Sequence, residues 1–210
     1  MATPTYAQFA NLAGDADYRK CMNREFWRTI NRRYNHEERL VYRDVNYLDK
    51  LEPNGQKVFW GRGNGWVIGA LARVMNYLPD GYSPKKKYEK VFREMMKRIT
   101  ALQGADGYWR TSLLDPDRYP SPGTSAAGFF TCGLWWGINE GLLDKEQYLP
   151  AAQKAWDAMV RAIQPSGMLG YVQPIGDRPE NISAEKNEVY GTAALALAGL
   201  EVCRYLEQNK

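Results

Sequence analysis

The sequence predicts an all-α fold of about seven helices, paired as αα-hairpins in an incomplete α/α toroid. Three observations carry this prediction. Apolar residues recur at helical spacing in seven segments, and no long run alternates as a strand would. Charged helices alternate with apolar, Gly- and Ala-rich ones, in an order that repeats three times. The connections reach roughly 15 to 25 residues, whereas a simple up-down bundle uses about two to eight.

Each element has its own signals. The first helix covers Ala7 to Leu12 and stops at Gly14. The second runs from Asp17 to about Arg33, with Met22, Phe26 and Ile30 on one face. The third spans Trp66 to Leu78, ahead of Pro79-Asp80-Gly81. The fourth opens at Pro84 and continues through Leu102, turning Tyr88, Val91, Met95 and Ile99 inward. The fifth, Ser125 to Glu140, is strongly apolar and ends at Gly141. The sixth, Gln147 to Ile163, carries Ala151, Ala155, Ala158 and Ala162. The seventh covers Glu188 to Leu206. Short extended pieces fall at Leu40-Val41-Tyr42 and Leu169-Gly170-Tyr171-Val172.

In the repeat, a charged helix is followed by a turn, an aromatic segment, a long loop and an apolar helix. Tyr42, Trp109 and Tyr171 mark it, each about 65 residues from the next, the length of one αα-hairpin with a long loop. Small residues let the apolar helices pack closely as an inner layer. The charged helices suit an outer layer, and long loops at one end would build a site.

Composition narrows the function. The chain has 210 residues, which suits one domain or most of one. Net charge is +4, and the cationic run Lys85-Lys86-Lys87 is not continued by a basic stripe, so nucleic acid is not an expected partner. Cys21, Cys132 and Cys203 are far apart, and Cys132 and Cys203 sit in apolar helical patterns that suggest buried free thiols. His36 is the only histidine and lies in a polar turn, so neither a zinc site nor a Ser-His-Asp triad is expected, and no cofactor. No secretory signal and no uncharged apolar run of about 18 residues is present, so a membrane partner is not expected either.

The densest functional signal is Phe59-Trp60-Gly61-Arg62-Gly63-Asn64-Gly65-Trp66. Indole faces can stack on a sugar ring, a guanidinium fork matches a carboxylate, and glycines allow close backbone approach. The cluster suggests a pocket for an acidic sugar where a loop enters a helix. Trp60 and Trp66 could equally be core aromatics, and Arg62 a structural salt-bridge partner.

Several stretches resemble the unsaturated rhamnogalacturonyl hydrolases of glycoside hydrolase family 105. They are Arg39-Leu40-Val41-Tyr42-Arg43-Asp44 with Lys57 to Trp66, Asp106-Gly107-Tyr108-Trp109-Arg110 with Leu113-Leu114-Asp115-Pro116, and Gly170 to Gly176 with Glu188-Val189-Tyr190-Gly191. The related unsaturated glucuronyl hydrolases share the Trp-x-Arg-Gly core, and Gly63-Asn64-Gly65-Trp66 favours the rhamnogalacturonyl side. The resemblance implies an (α/α)6 toroid that removes a 4,5-unsaturated galacturonyl residue from rhamnogalacturonan oligosaccharides by hydrating its vinyl ether. It implies Asp44 as general acid and base, with partial burial raising its pKa unless Arg43 opposes this. It implies Arg62 for the substrate carboxylate, Trp60 and Trp66 as walls, Trp109 and Tyr42 as an extended platform, and Thr124 and Tyr190 as hydrogen-bond donors. Family members often carry pocket histidines, and none lies near Asp44 or Trp60.

Residues 1–210 match the C-terminal portion of such a domain. In the family an Asp-bearing helix precedes the Met-Ala segment, so the chain is expected to be a partial toroid with an open apolar edge and a tendency to self-associate. Pectin breakdown in a bacterium is the implied setting, in cytoplasm or periplasm. Two other classes remain open: a binding-only remnant that holds acidic sugars without turnover, and a helical-repeat module that binds protein.

Overall fold

The computed structural model describes residues 2–210. Seven α-helices follow in order: α1 (Thr3–Leu12), α2 (Ala16–Arg33), α3 (Gly61–Met75), α4 (Lys85–Ala101), α5 (Thr124–Asn139), α6 (Lys145–Arg161) and α7 (Val189–Gln208). Between α2 and α3 lies a small antiparallel hairpin, β1 (Tyr34–Asn35) and β2 (Leu40–Val41), in which Tyr34 faces Val41. A 3-10 turn, Val45–Tyr47, follows it.

The helices form two layers of an arc. The odd-numbered helices lie side by side in the order α1, α3, α5, α7, and α2, α4 and α6 each pack on the outside of the preceding inner helix. This is the expected toroid logic of inner and outer helices. Met22, Phe26 and Ile30 of α2 are buried, as are Tyr88, Val91, Met95 and Ile99 of α4. Asp15 and Asp144 cap α2 and α6 by accepting from the Asp17 and Gln147 amides.

α5 is the centre of the arc. Every residue from Thr124 to Ile138 is buried, which fits a helix that is apolar on all sides. Its glycines let neighbours approach: a Cβ on Gly128 would lie 2.8 Å from the Ala194 Cβ of α7.

The structure corrects several local expectations. α3 begins at Gly61, not Trp66, so the glycine-rich stretch is itself helical. The room left by Gly65 and Gly69 is filled by Phe129 of α5, not by a ligand; a Cβ on Gly69 would meet the Phe129 ring at 2.8 Å. Cys132 is buried as expected, whereas Cys203 is exposed on the uncovered side of α7. His36 is exposed. Among the described residues no helix is long and apolar enough to cross a membrane, and no group of His, Cys, Asp and Glu could hold a metal ion.

Candidate active site

The starts of α3, α5 and α7 lie at one end of the arc, joined by the long loops. The Gly61 amide donates to Thr111 O at 2.8 Å, and Trp60 and Ser112 form a bridge. The Thr124 amide donates to Tyr171 O at 3.2 Å and its hydroxyl to Gly170 O at 2.7 Å. Tyr171 holds φ = 57°, a left-handed conformation uncommon for a side-chain-bearing residue. The long loops thus pair with the starts of the inner helices, taking up the first amides of α3 and α5.

The motif residues divide the work by alternation. Trp60 is 8% exposed, and its indole N–H donates to Gln173 Oε1 at 2.7 Å. Arg62 is 6% exposed and lies between two rings, 4.3 Å from the Trp60 centroid and 5.1 Å from that of Tyr190. Its guanidinium donates to the Gln173 and Pro174 carbonyls and, at 2.7 Å, to Tyr190 Oη. Burial lowers its pKa against the opposing pull of Tyr190 and the more distant Glu188. Asn64 is fully buried and bonds both backbone groups of Val41, anchoring β2 to the first turn of α3. Trp66 is half-buried, stands 4.5 Å from Phe129, and lines a groove of about 450 Å³.

That groove runs between α1, α2 and the start of α3. Met22 and Phe26 form its apolar wall, Gly63 and Trp66 its opposite side, and Arg33 and Arg43 line it as well. Asp44 follows directly. Its carboxylate caps the 3-10 turn by accepting from the Asn46 amide at 2.8 Å, and it forms an ion pair with Arg43. Desolvation pushes its pKa up, but the Asn46 amide, the Arg43 bond and charge, and the Lys50 charge outweigh it and hold the carboxyl below its ordinary value. Of the two directions that the sequence left open, burial against Arg43, the lowering one holds, with the Asn46 amide and Arg43 together outweighing desolvation.

Other expected site residues are placed elsewhere. Trp109 is fully buried, with its N–H donated to Ile99 O at 2.7 Å, so it belongs to the core and not to a sugar platform. Tyr42 is buried with its ring 4.5 Å from Phe59, and its hydroxyl accepts from Asn35. Thr124 is buried and spends its hydroxyl on Gly170 O, leaving no donor for a ligand. Tyr190 donates to Gln173 O and accepts from Arg62. Arg62 itself turns its fork to backbone carbonyls, so it clamps the loop of residues 172–188 instead of standing open for a carboxylate.

Gln173 is the hub that sequence inspection passed over. It is 1% exposed, accepts from Trp60, and donates to Arg178 O at 2.7 Å. Its place in Tyr171-Val172-Gln173-Pro174 was a signal, since a buried amide needs several partners and aromatic and Arg donors lie in the other motifs.

Residues 1–206 match the Glycosyl Hydrolase Family 88. The chain belongs to this family. It is 42% identical over 213 residues to an "Unsaturated 3S-rhamnoglycuronyl hydrolase" of Formosa agariphila, covering 99% of this chain and 56% of that protein. Among solved structures, a "Glycosyl hydrolase family 88 from Bacteroides vulgatus" superposes with TM-score 0.92 at 34% identity, over 97% of this chain and 60% of that one. A possible member of family 105 from Salmonella enterica shares the fold at TM-score 0.83 and 20% identity, over 98% of this chain and 55% of that one. The chain thus spans little more than half the length of these relatives, and its fold is that of the α/α toroid hydrolases.

Proposed function

We propose that this chain carries the sugar-holding part of an unsaturated glycuronyl hydrolase site, acting on a 4,5-unsaturated uronyl residue joined to rhamnose. The observation that carries this reading is the placement of half-buried Trp66 in one groove with Arg33 and Arg43, beside the carboxylate of Asp44. An aromatic wall, cations and a carboxyl are the groups that an unsaturated uronate and its hydration require. The names of the curated relatives support rhamnose as the neighbouring sugar.

In this mechanism the protonated Asp44 carboxyl delivers its proton to C4 of the vinyl ether. Water bonds to C5 and returns a proton to the Asp44 carboxylate. The hemiketal at C5 then opens to a ketone, leaving at C1 a hemiacetal that releases the neighbouring sugar. Because Arg43 and the Asn46 amide favour the ionised form, the acid form is scarce at neutral pH, and the rate should rise as pH falls toward the carboxylate range.

The test follows the ultraviolet absorbance of the C4=C5 bond in an unsaturated glycuronyl-rhamnose disaccharide. Loss of absorbance with wild type and none with Asp44→Asn supports the reading. Equal loss with both removes Asp44 from the mechanism. Saturable binding without loss of absorbance would instead select a chain that holds the sugar and does not turn it over.

A further inference from the structure

We infer that Arg33 and Arg43, not Arg62, receive the uronate carboxylate, which makes the pair the specificity element of the Trp66 groove; this rests on the function proposed above.

The two arginines are coupled by the fold. Arg33 is the last residue of α2, and Arg43 leaves β2 two residues after Val41, which Asn64 pins to α3. Arg33 Nη1 donates to Arg43 O at 2.7 Å, so the end of the helix fixes the strand exit. Both residues line the groove that Trp66 lines.

Their charge is not fully met. Among the described residues Arg33 has no carboxylate within salt-bridge distance, and Arg43 has only Asp44. Two guanidinia, with Lys50 nearby, against one carboxylate leave this corner net positive. Burial lowers the pKa of Arg33 as well, opposed by the Asp44 charge. Arg62 differs: its fork is committed to three oxygen acceptors under the 172–188 loop.

The groove also contains an acid, Glu25. It lies eight residues before Arg33 on the same helix, about 12 Å along the axis, and it is engaged by Arg24 at 2.8 Å and Arg28 at 3.9 Å. The groove is therefore cationic at the Arg33 end and apolar at Met22, Phe26 and Trp66, and its one acid, Glu25, is neutralised by Arg24 and Arg28. A 4,5-unsaturated uronate fits this polarity: its ring is flattened at the double bond, its carboxylate is attached at C5, and a planar guanidinium binds that group through two parallel N–H bonds.

The experiment measures binding of the unsaturated uronyl-rhamnose disaccharide, its methyl ester, and free glucuronate to the whole chain by calorimetry. Wild type should bind the acid at least tenfold more tightly than the ester. Arg33→Gln and Arg43→Gln should each weaken acid binding about tenfold or more and leave ester binding within about twofold. Arg33→Lys, which keeps the charge but loses the fork, should recover part of the loss. Circular dichroism of each variant checks that the fold is kept.

The inference is overturned if both glutamine variants bind the acid as wild type does, or if Arg62→Gln alone removes the discrimination between acid and ester. It is also overturned if neither acid binds. If glucuronate binds through Arg33 and Arg43 while the disaccharide neither binds nor loses absorbance, the anion site stands and the proposed function falls.

Discussion

Asn64 and Val41 exchange two hydrogen bonds: the Val41 amide donates to Asn64 Oδ1 at 2.8 Å, and Asn64 Nδ2 donates to Val41 O at 3.1 Å. A side-chain amide on the first turn of α3 thus completes the pairing of β2 as a neighbouring strand would. Asn64 Nδ2 also donates to Trp60 O at 3.1 Å. Asn64→Asp keeps the size but removes both donors and buries a carboxylate against two carbonyls. Loss of about 3 kcal/mol or more is expected in urea unfolding. Binding of the acidic disaccharide should weaken even where the fold survives, since Arg43 follows Val41 by two residues.

Trp66 and Trp109 should separate cleanly. Trp66 is half-exposed in the groove, so Trp66→Ala should weaken sugar binding about fivefold or more with a small change in melting temperature. Trp109 is fully buried, so Trp109→Ala should cost about 3–5 kcal/mol in stability. Trp109→Phe, a gentler change, should leave ligand affinity unchanged. Calorimetry and thermal melts of the variants decide it, and reversed effects would return Trp109 to the binding site.

Asp44 gives a pH dependence with a fixed sign. Its folded pKa lies below the ordinary carboxylate value, so its contribution to stability is complete above that value and is lost as pH falls through the folded one. Wild type should therefore lose more melting temperature than Asp44→Asn between roughly pH 6 and 3. A parallel decline of the two proteins would mean that the Arg43 pair contributes nothing to folding.

The ends of the arc should associate. Phe9 and Leu12 on α1 are 51% and 76% exposed, and Leu200 and Leu206 on α7 are 63% and 56% exposed. Light scattering with size-exclusion chromatography under reducing conditions should show mass rising with concentration. Leu200→Lys with Leu206→Glu should suppress the rise. Monomers at every concentration would show that these faces are not sticky enough to matter.

What was legible in the sequence was what periodicity encodes. Met22, Phe26 and Ile30, or Tyr88, Val91, Met95 and Ile99, announce their inward faces because helical spacing leaves them no other side. The inner and outer alternation followed from small residues on one set of helices. The site was legible as a region more than as roles. The three glycines of the Trp60 to Trp66 stretch imply close approach, but spacing does not say whether a sugar or Phe129 approaches. Trp109 shares its residue type with Trp66, and only long-range packing separates core from groove. Arg62 looked free because its acceptors, the Gln173 and Pro174 carbonyls, lie more than a hundred residues away. Arg33 was hidden for the opposite reason: it sits in a charged helix end that resembles any solvated surface.

The enclosure of α5 has a consequence during synthesis. Fifty residues separate Asn139 from Val189, where the α7 helix that covers one side of α5 begins. At about 5–20 residues per second, roughly 3–10 seconds pass on the ribosome before α7 even begins to be made, and that flank stays bare throughout. For that interval Trp135 lacks Tyr205, the α7 ring it packs against at 4.9 Å, and Gly128 lacks Ala194. A holding chaperone would find its natural target there, in the stretch that ends as the best-hidden part of the molecule.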